Sequence, residues 1–294
     1  MPSMLKSTIP SSGLTASCVV TAVVWLSATA SAGQHPWQPA SLSDGQPDVQ
    51  GDWDPENTGT FDLTDPRAGG GRLDEILRER GGVPRVPKPS RVVDPPDGKI
   101  PYQPSAAARQ KVLADHADTP TAPEHIDPQA RCLAGGVPRE MFHSQVRILQ
   151  SPGYVVILYA QNHVSRVIPL DGRPHIGPHT KLWMGDSRGH WEGTTLIVDV
   201  TNQNGKGRLD MVGNFSSDSV HVVERFAFVD AGTLDYRATI EDPTVYTRPW
   251  TIAAKFVRGR RGQGVEYWED ACHEGERSAE AMIIHTDVDA EHPQ

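Results

Sequence analysis

The chain has 294 residues, with 28 lysines and arginines against 37 aspartates and glutamates, for a formal net charge of −9. That acidity argues against nucleic acid as a partner, because a phosphate binder needs a basic face. The length allows one large domain, or one domain with an extended arm.

Residues 1–32 read as a secretory signal. Lys6 supplies the positive start, Leu14 to Leu26 is an apolar run, and Ala30-Ser31-Ala32 is a small-residue cleavage site before Gly33. The run is too short to span a bilayer stably. A lipoprotein cysteine at Cys18, after Thr15-Ala16-Ser17, is the rival reading, but the apolar run continues past Cys18 where it should end. Loss of the signal removes one cation, Lys6, and takes the net charge to −10. The mature chain is therefore expected to be periplasmic or secreted. No second apolar run approaches spanning length, so no transmembrane segment is expected in it. Cys132 and Cys272 remain as an even pair, and in an exported protein this predicts a disulfide. A metal site at Cys272-His273 is the alternative, but no C-x-x-C or paired ligand spacing supports it.

From residue 33 to about 140 the chain is rich in proline and glycine. Runs such as Arg85-Val86-Pro87-Lys88-Pro89 and Asp94-Pro95-Pro96-Asp97-Gly98 cannot continue a helix or a central strand. Two short helices are expected within this arm, at Arg72 to Arg80 and at about Ala106 to His116, the second with Ser105 as N-cap. From 141 to 285 the composition shifts to strands, and 286–294 is a C-terminal tail.

The expected strands are Gln145 to Leu149, Tyr154 to Ala160, His163 to Pro169, Thr194 to Thr201, Ser219 to Val229, Thr233 to Glu241, Trp250 to Arg258 and Val265 to Asp270. In the Lys181 to Asn202 stretch, Trp183 and Trp191 are read as flanking a tight polar turn that precedes the Thr194 strand. Short connections favour antiparallel pairing. About eight such strands predict a mainly β fold, an antiparallel lipocalin-like barrel or strongly curved sheet, with a sandwich as runner-up.

Several blocks carry a resemblance. Gly136-Val-Pro-Arg139, Ile168-Pro-Leu-Asp-Gly-Arg-Pro-His175, Trp183-Met-Gly-Asp-Ser-Arg-Gly189 with Trp191-Glu-Gly193, His221-Val-Val-Glu-Arg-Phe226, Asp242-Pro-x-x-Tyr-Thr-Arg-Pro-Trp250 and Ala271-Cys-His-Glu-Gly275 resemble those of a large set of exported bacterial proteins without an established activity. The resemblance spans roughly Ala106 to Gly275 and implies location and architecture, not a reaction. The glycine-rich loop Gly205-Lys206-Gly207 departs from that pattern.

Candidate site residues come from polar interruptions of apolar strand faces, since an unpaired buried charge is costly. Glu224 falls among Val222, Phe226 and Phe228, and Arg166 falls between Val164 and Ile168. The two either pair structurally or hold a polar ligand group. His190 and Glu192 would share a face, while His175 and His179 lie in a loop with no third ligand declaring itself. Asp186-Ser187 superficially resembles a nucleophile segment without an assigned partner histidine. The expected function is binding of a small, partly apolar molecule by Arg166, Tyr159, Trp183, Arg188, Trp191 and Arg248. The enzyme alternative is a hydrolase, lyase or isomerase using Glu224 with His221 or His190, and a structural envelope protein is a third reading. No cofactor and no metal are expected, and the sequence does not give the oligomeric state.

Overall fold

In a computed structural model, the described residues are 37–56, 62–64, 89–162, 164–259 and 282–283. The expected signal, the helix expected at Arg72 to Arg80, the strand expected at Val265 to Asp270 and Cys272 fall outside them. The pairing expected between Cys132 and Cys272 therefore falls outside as well. Pro36–Gln294 forms one compact unit.

Among the described residues, ten strands form one antiparallel sheet: β1 (Gly51–Pro55), β2 (Val92–Asp94), β3 (Val146–Ser151), β4 (Tyr154–Tyr159), β5 (Ser165–Pro169), β6 (Asp186–Glu192), β7 (Thr195–Thr201), β8 (His221–Asp230), β9 (Thr233–Glu241) and β10 (Trp250–Arg258). Nine run in the order β5-β4-β3-β1-β10-β9-β8-β7-β6 and make a nearly closed barrel, with β2 pairing β10 as well. Period-two alternation sets the wall. Val222, Glu224, Phe226 and Phe228 of β8 are buried, as are Leu234, Tyr236, Ala238 and Ile240 of β9. Trp53 meets Phe228 edge-on at 5.4 Å, and Phe226 meets Tyr236 at 5.1 Å, so the interior is closely filled.

Two described pieces of the expected arm, β1 and β2, belong to this sheet. β1 lies between β3 and β10, and its three central residues alternate: Trp53 is fully buried while Asp52 meets Arg147 of β3 and Asp54 meets Gln145 just before it. Arg147 grips Asp52 through two hydrogen bonds of 2.5 and 3.0 Å, and Gln145 Nε2 donates to Asp54 Oδ1 at 2.8 Å. The stretch between Trp183 and Trp191 is likewise a strand, β6, and the turn comes after it at Gly193. Helix α1 (Pro104–Asp115) starts earlier than expected, since Gln103 is the N-cap and Pro104 takes the first helical position, where its missing N–H costs nothing. The short helix α2 (Arg139–His143) puts Met141 and Phe142 into the core.

β5 and β6 meet through side chains, with no strand pairing between them. A Cβ on Gly189 of β6 would come within 2.7 Å of Ile168 Cγ2 and 2.8 Å of Leu170 Cδ2, so glycine is what allows the approach. Gly207 has a similar reason: a Cβ there would strike the backbone carbonyl of Gly135. Close packing of two loops accounts for the glycine-rich Gly205-Lys206-Gly207 segment.

Candidate functional site

Three arrangements of polar side chains stand out, one inside the barrel, one on its outer face and one at a break in its wall. The interior one joins the two residues that interrupt apolar alternation. Arg166 Nη2 donates to Glu224 Oε2 at 2.6 Å, with side-chain exposures of 3% and 0%, and Tyr236 Oη donates to Glu224 Oε1 at 2.7 Å. Register explains the room for a guanidinium: Gly189, Val198, Glu224, Ala238 and Ile252 form one row across β6 to β10, and Glu224 is flanked by small or slender neighbours. Burial works against the charge of Arg166, yet the Glu224 carboxylate beside it outweighs that and holds the guanidinium above its usual value. Burial first, and then Glu224, push the Tyr236 hydroxyl far up, so it stays a donor. Tyr159 is fully enclosed beside the pair, and its phenol is also raised by burial.

The outer-face arrangement was not anticipated. His175, from the loop after β5, places Nδ1 2.7 Å from Asp186 Oδ2 and Nε2 2.8 Å from Asp199 Oδ1. Asp199 Oδ2 lies 2.7 Å from His221 Nε2, and Asp186 Oδ1 accepts from Arg188 Nη1 at 2.7 Å. The result is a chain Arg188, Asp186, His175, Asp199, His221 across β6, β7 and β8. Burial alone would raise Asp199, but the hydrogen bonds from His221 and His175 prevail and hold it below the usual carboxylate value. The Nδ1 of His221 is 3.9 Å from Glu241 Oε2, too far for a hydrogen bond, and the ring is 39% exposed. A partly exposed imidazole steered by a carboxylate has the parts of an acid–base device. Among the described residues no group of histidines, cysteines and carboxylates is arranged to hold a metal ion.

The third feature is a groove with a cavity of about 360 Å³. One edge of β10 is served by β1 as far as Lys255, whose carbonyl accepts from Glu56 N, and by β2 from Ala253, whose N–H donates to the Arg91 carbonyl. The break falls at Ala254. Parity points Ala254 inward, yet it remains partly exposed where Trp250, Ile252 and Phe256 on the same face are fully buried. It pairs in register with Tyr236, the donor to Glu224. Asp235, Arg237, Ala253 and Lys255 line one side of the groove, and Pro89, Ser90, Arg91 and Val93 the other. Burial lowers the Arg91 guanidinium to about 10, and its Cζ lies 5.4 Å from the Phe142 ring centre.

The expected ligand set does not converge. Tyr159 and Arg166 are inside, and Trp191 packs inward, 6.2 Å from Phe228. Arg188 is on the outer face of β6, bound to Asp186 and to the Arg173 and Pro174 carbonyls. Arg248 is exposed and paired with Asp94, and Trp183 is half-buried in the loop before β6. The expected catalytic set also separates, for a reason of parity. Glu224 and His221 are an odd number of residues apart on β8, so they face opposite sides of the wall. His190 is exposed on the outside, 3.5 Å from Glu192. Ser187 is buried in the wall while Asp186 points out, so the two do not act together. Comparison with protein-family models, with curated proteins and with solved structures finds no match to this chain.

Proposed function

We propose that this is an exported small-molecule-binding protein of lipocalin-like architecture, whose ligand enters at the break between β1 and β2. The observation that carries the reading is Ala254: an inward position left partly open, at the floor of a cavity of about 360 Å³, directly across from Tyr236. A cavity of this size suits a small organic molecule. The hydroxyl of Tyr236 ties that floor to the Glu224–Arg166 pair, so occupancy can be felt by the interior network. What supports export is the signal-like segment through Ala32, and a Cys132–Cys272 disulfide belongs to the same reading.

The uncharged fluorophore N-phenylnaphthylamine tests it. Saturable one-to-one binding by the native protein, abolished in Ala254→Phe, is the expected result. Equal binding by that variant would move the site elsewhere, and no binding would remove the reading.

A second reading, an acid–base enzyme, is favoured by the partly exposed ring of His221 backed by Asp199. Its check is hydrolysis of p-nitrophenyl acetate. The enzyme reading requires a rate above that of free imidazole, lost in both His221→Ala and Asp199→Asn.

A further inference from the structure

The groove differs from the rest of the molecule in sign. The chain as a whole carries a net charge of −9, whereas among the described residues the outward-facing side of the groove holds Arg237 and Lys255 beside one carboxylate, Asp235. Lys255 Nζ lies 3.9 Å from Asp235 Oδ1, with both side chains about half exposed, a separation at which screening by water leaves little attraction. Arg237 is the register partner of Ala253, so its side chain rises from the wall beside the floor. Between these cations the surface is small and apolar: Ala253 and Ala254 below, Pro89 and Val93 at the side. A cationic rim around an apolar floor is a recognition pattern for an organic anion, with the charged group at the rim and the hydrocarbon against the alanines.

Resting on the ligand-binding reading given above, we propose that the groove over Ala254 binds organic anions, compact molecules carrying a carboxylate, sulfonate or phosphate on an apolar body, and that Arg237 and Lys255 select for that charge. Two other arrangements competed. The outer-face histidine–aspartate chain has the chemistry of a site, but most of its polar atoms are engaged with one another. The small cavity of about 190 Å³ at Asp62, Tyr102 and Asn214 has its polar atoms engaged with one another, with Tyr102 Oη donating to Asn214 Oδ1 at 2.9 Å.

The test uses two probes that differ by one charged group, anilinonaphthalene sulfonate and its uncharged parent N-phenylnaphthylamine, on the folded, full-length protein. The expected result is that the sulfonate binds about tenfold more tightly than the parent at low salt. That preference, read as the ratio of the two affinities, should disappear in the Arg237→Gln/Lys255→Gln double variant. Both substitutions lie on the outer face, so folding is expected to survive them, and an unaltered melting temperature verifies it. Equal affinity for the two probes in the native protein would overturn the anion proposal and leave the ligand-binding reading standing. So would a preference that persists in the double variant. Binding of neither probe would overturn both.

Discussion

The interior pair of Arg166 and Glu224 and the outer-face chain from Arg188 to His221 use the same chemistry under opposite solvation. Inside, two charges have given up all water and depend on each other. Outside, Asp199 and His221 are 41% and 39% exposed, and each partner has water as an alternative. Charge in a dry barrel is therefore a liability that geometry must cancel, while charge on the wall keeps its water. The consequences of mutation should differ accordingly.

The largest expected effect is inside. Glu224→Ala strands the Arg166 guanidinium and should destabilise by about 3–5 kcal/mol, whereas Arg166→Met combined with Glu224→Leu should recover most of that loss. Urea unfolding of the two variants is the check, and equal losses in the single and double variants would break the contrast.

A second buried carboxylate sharpens it. Asp210 accepts from Leu63 N, Asn214 N and Asn214 Nδ2, yet burial raises it from 3.8 to about 6. A raised carboxylate favours the protonated folded state. Its effect on stability is most favourable below its unfolded value, then falls as pH rises from about 4 to about 6, by roughly 3 kcal/mol, and is flat above. Asp210→Asn should remove that slope from the pH dependence of the melting temperature.

The outer chain should respond less and with the opposite sign. Asp199 is held below its unfolded value, so its contribution is present above about pH 4 and is lost as pH falls through the folded value. After screening, Asp199→Asn should cost about 1 kcal/mol or less near neutrality, and nothing at lower pH. The smallest effect is expected at the exposed Arg248–Asp94 pair, where Arg248→Ala should shift stability by less than about 0.5 kcal/mol.

The contrast also governs what could be read from sequence. Alternation identified β7 to β10, and it marked Arg166 and Glu224 as misplaced charges because a one-residue shift would have turned them outward. That they pair across the barrel depends on how the sheet curls, which no single strand encodes. The outer chain escaped notice because Asp186, Asp199 and His221 sit where outward polar residues belong, and the loop residue His175 completes the connection. β1 was hidden by brevity, since one tryptophan between two aspartates gives little periodicity. The groove is a property of two strands abutting on β10, and a residue string carries no mark for that.

The place of β1 has a consequence for assembly. β6 to β10 form a meander in which each strand pairs with the next in sequence, so their ladders close over connections of at most 19 residues. β1 brings Trp53 beside Arg258 on one edge and beside Val146 on the other, contacts between chain segments far apart in sequence. Long loops cost more entropy to close and contribute late. The meander should therefore form first, with β1 as the keystone inserted afterwards. In pulse-labelling hydrogen exchange, the amides of β8 and β9 should be protected before those of Asp52 and Asp54, and the ring should become a barrel only when that short strand arrives.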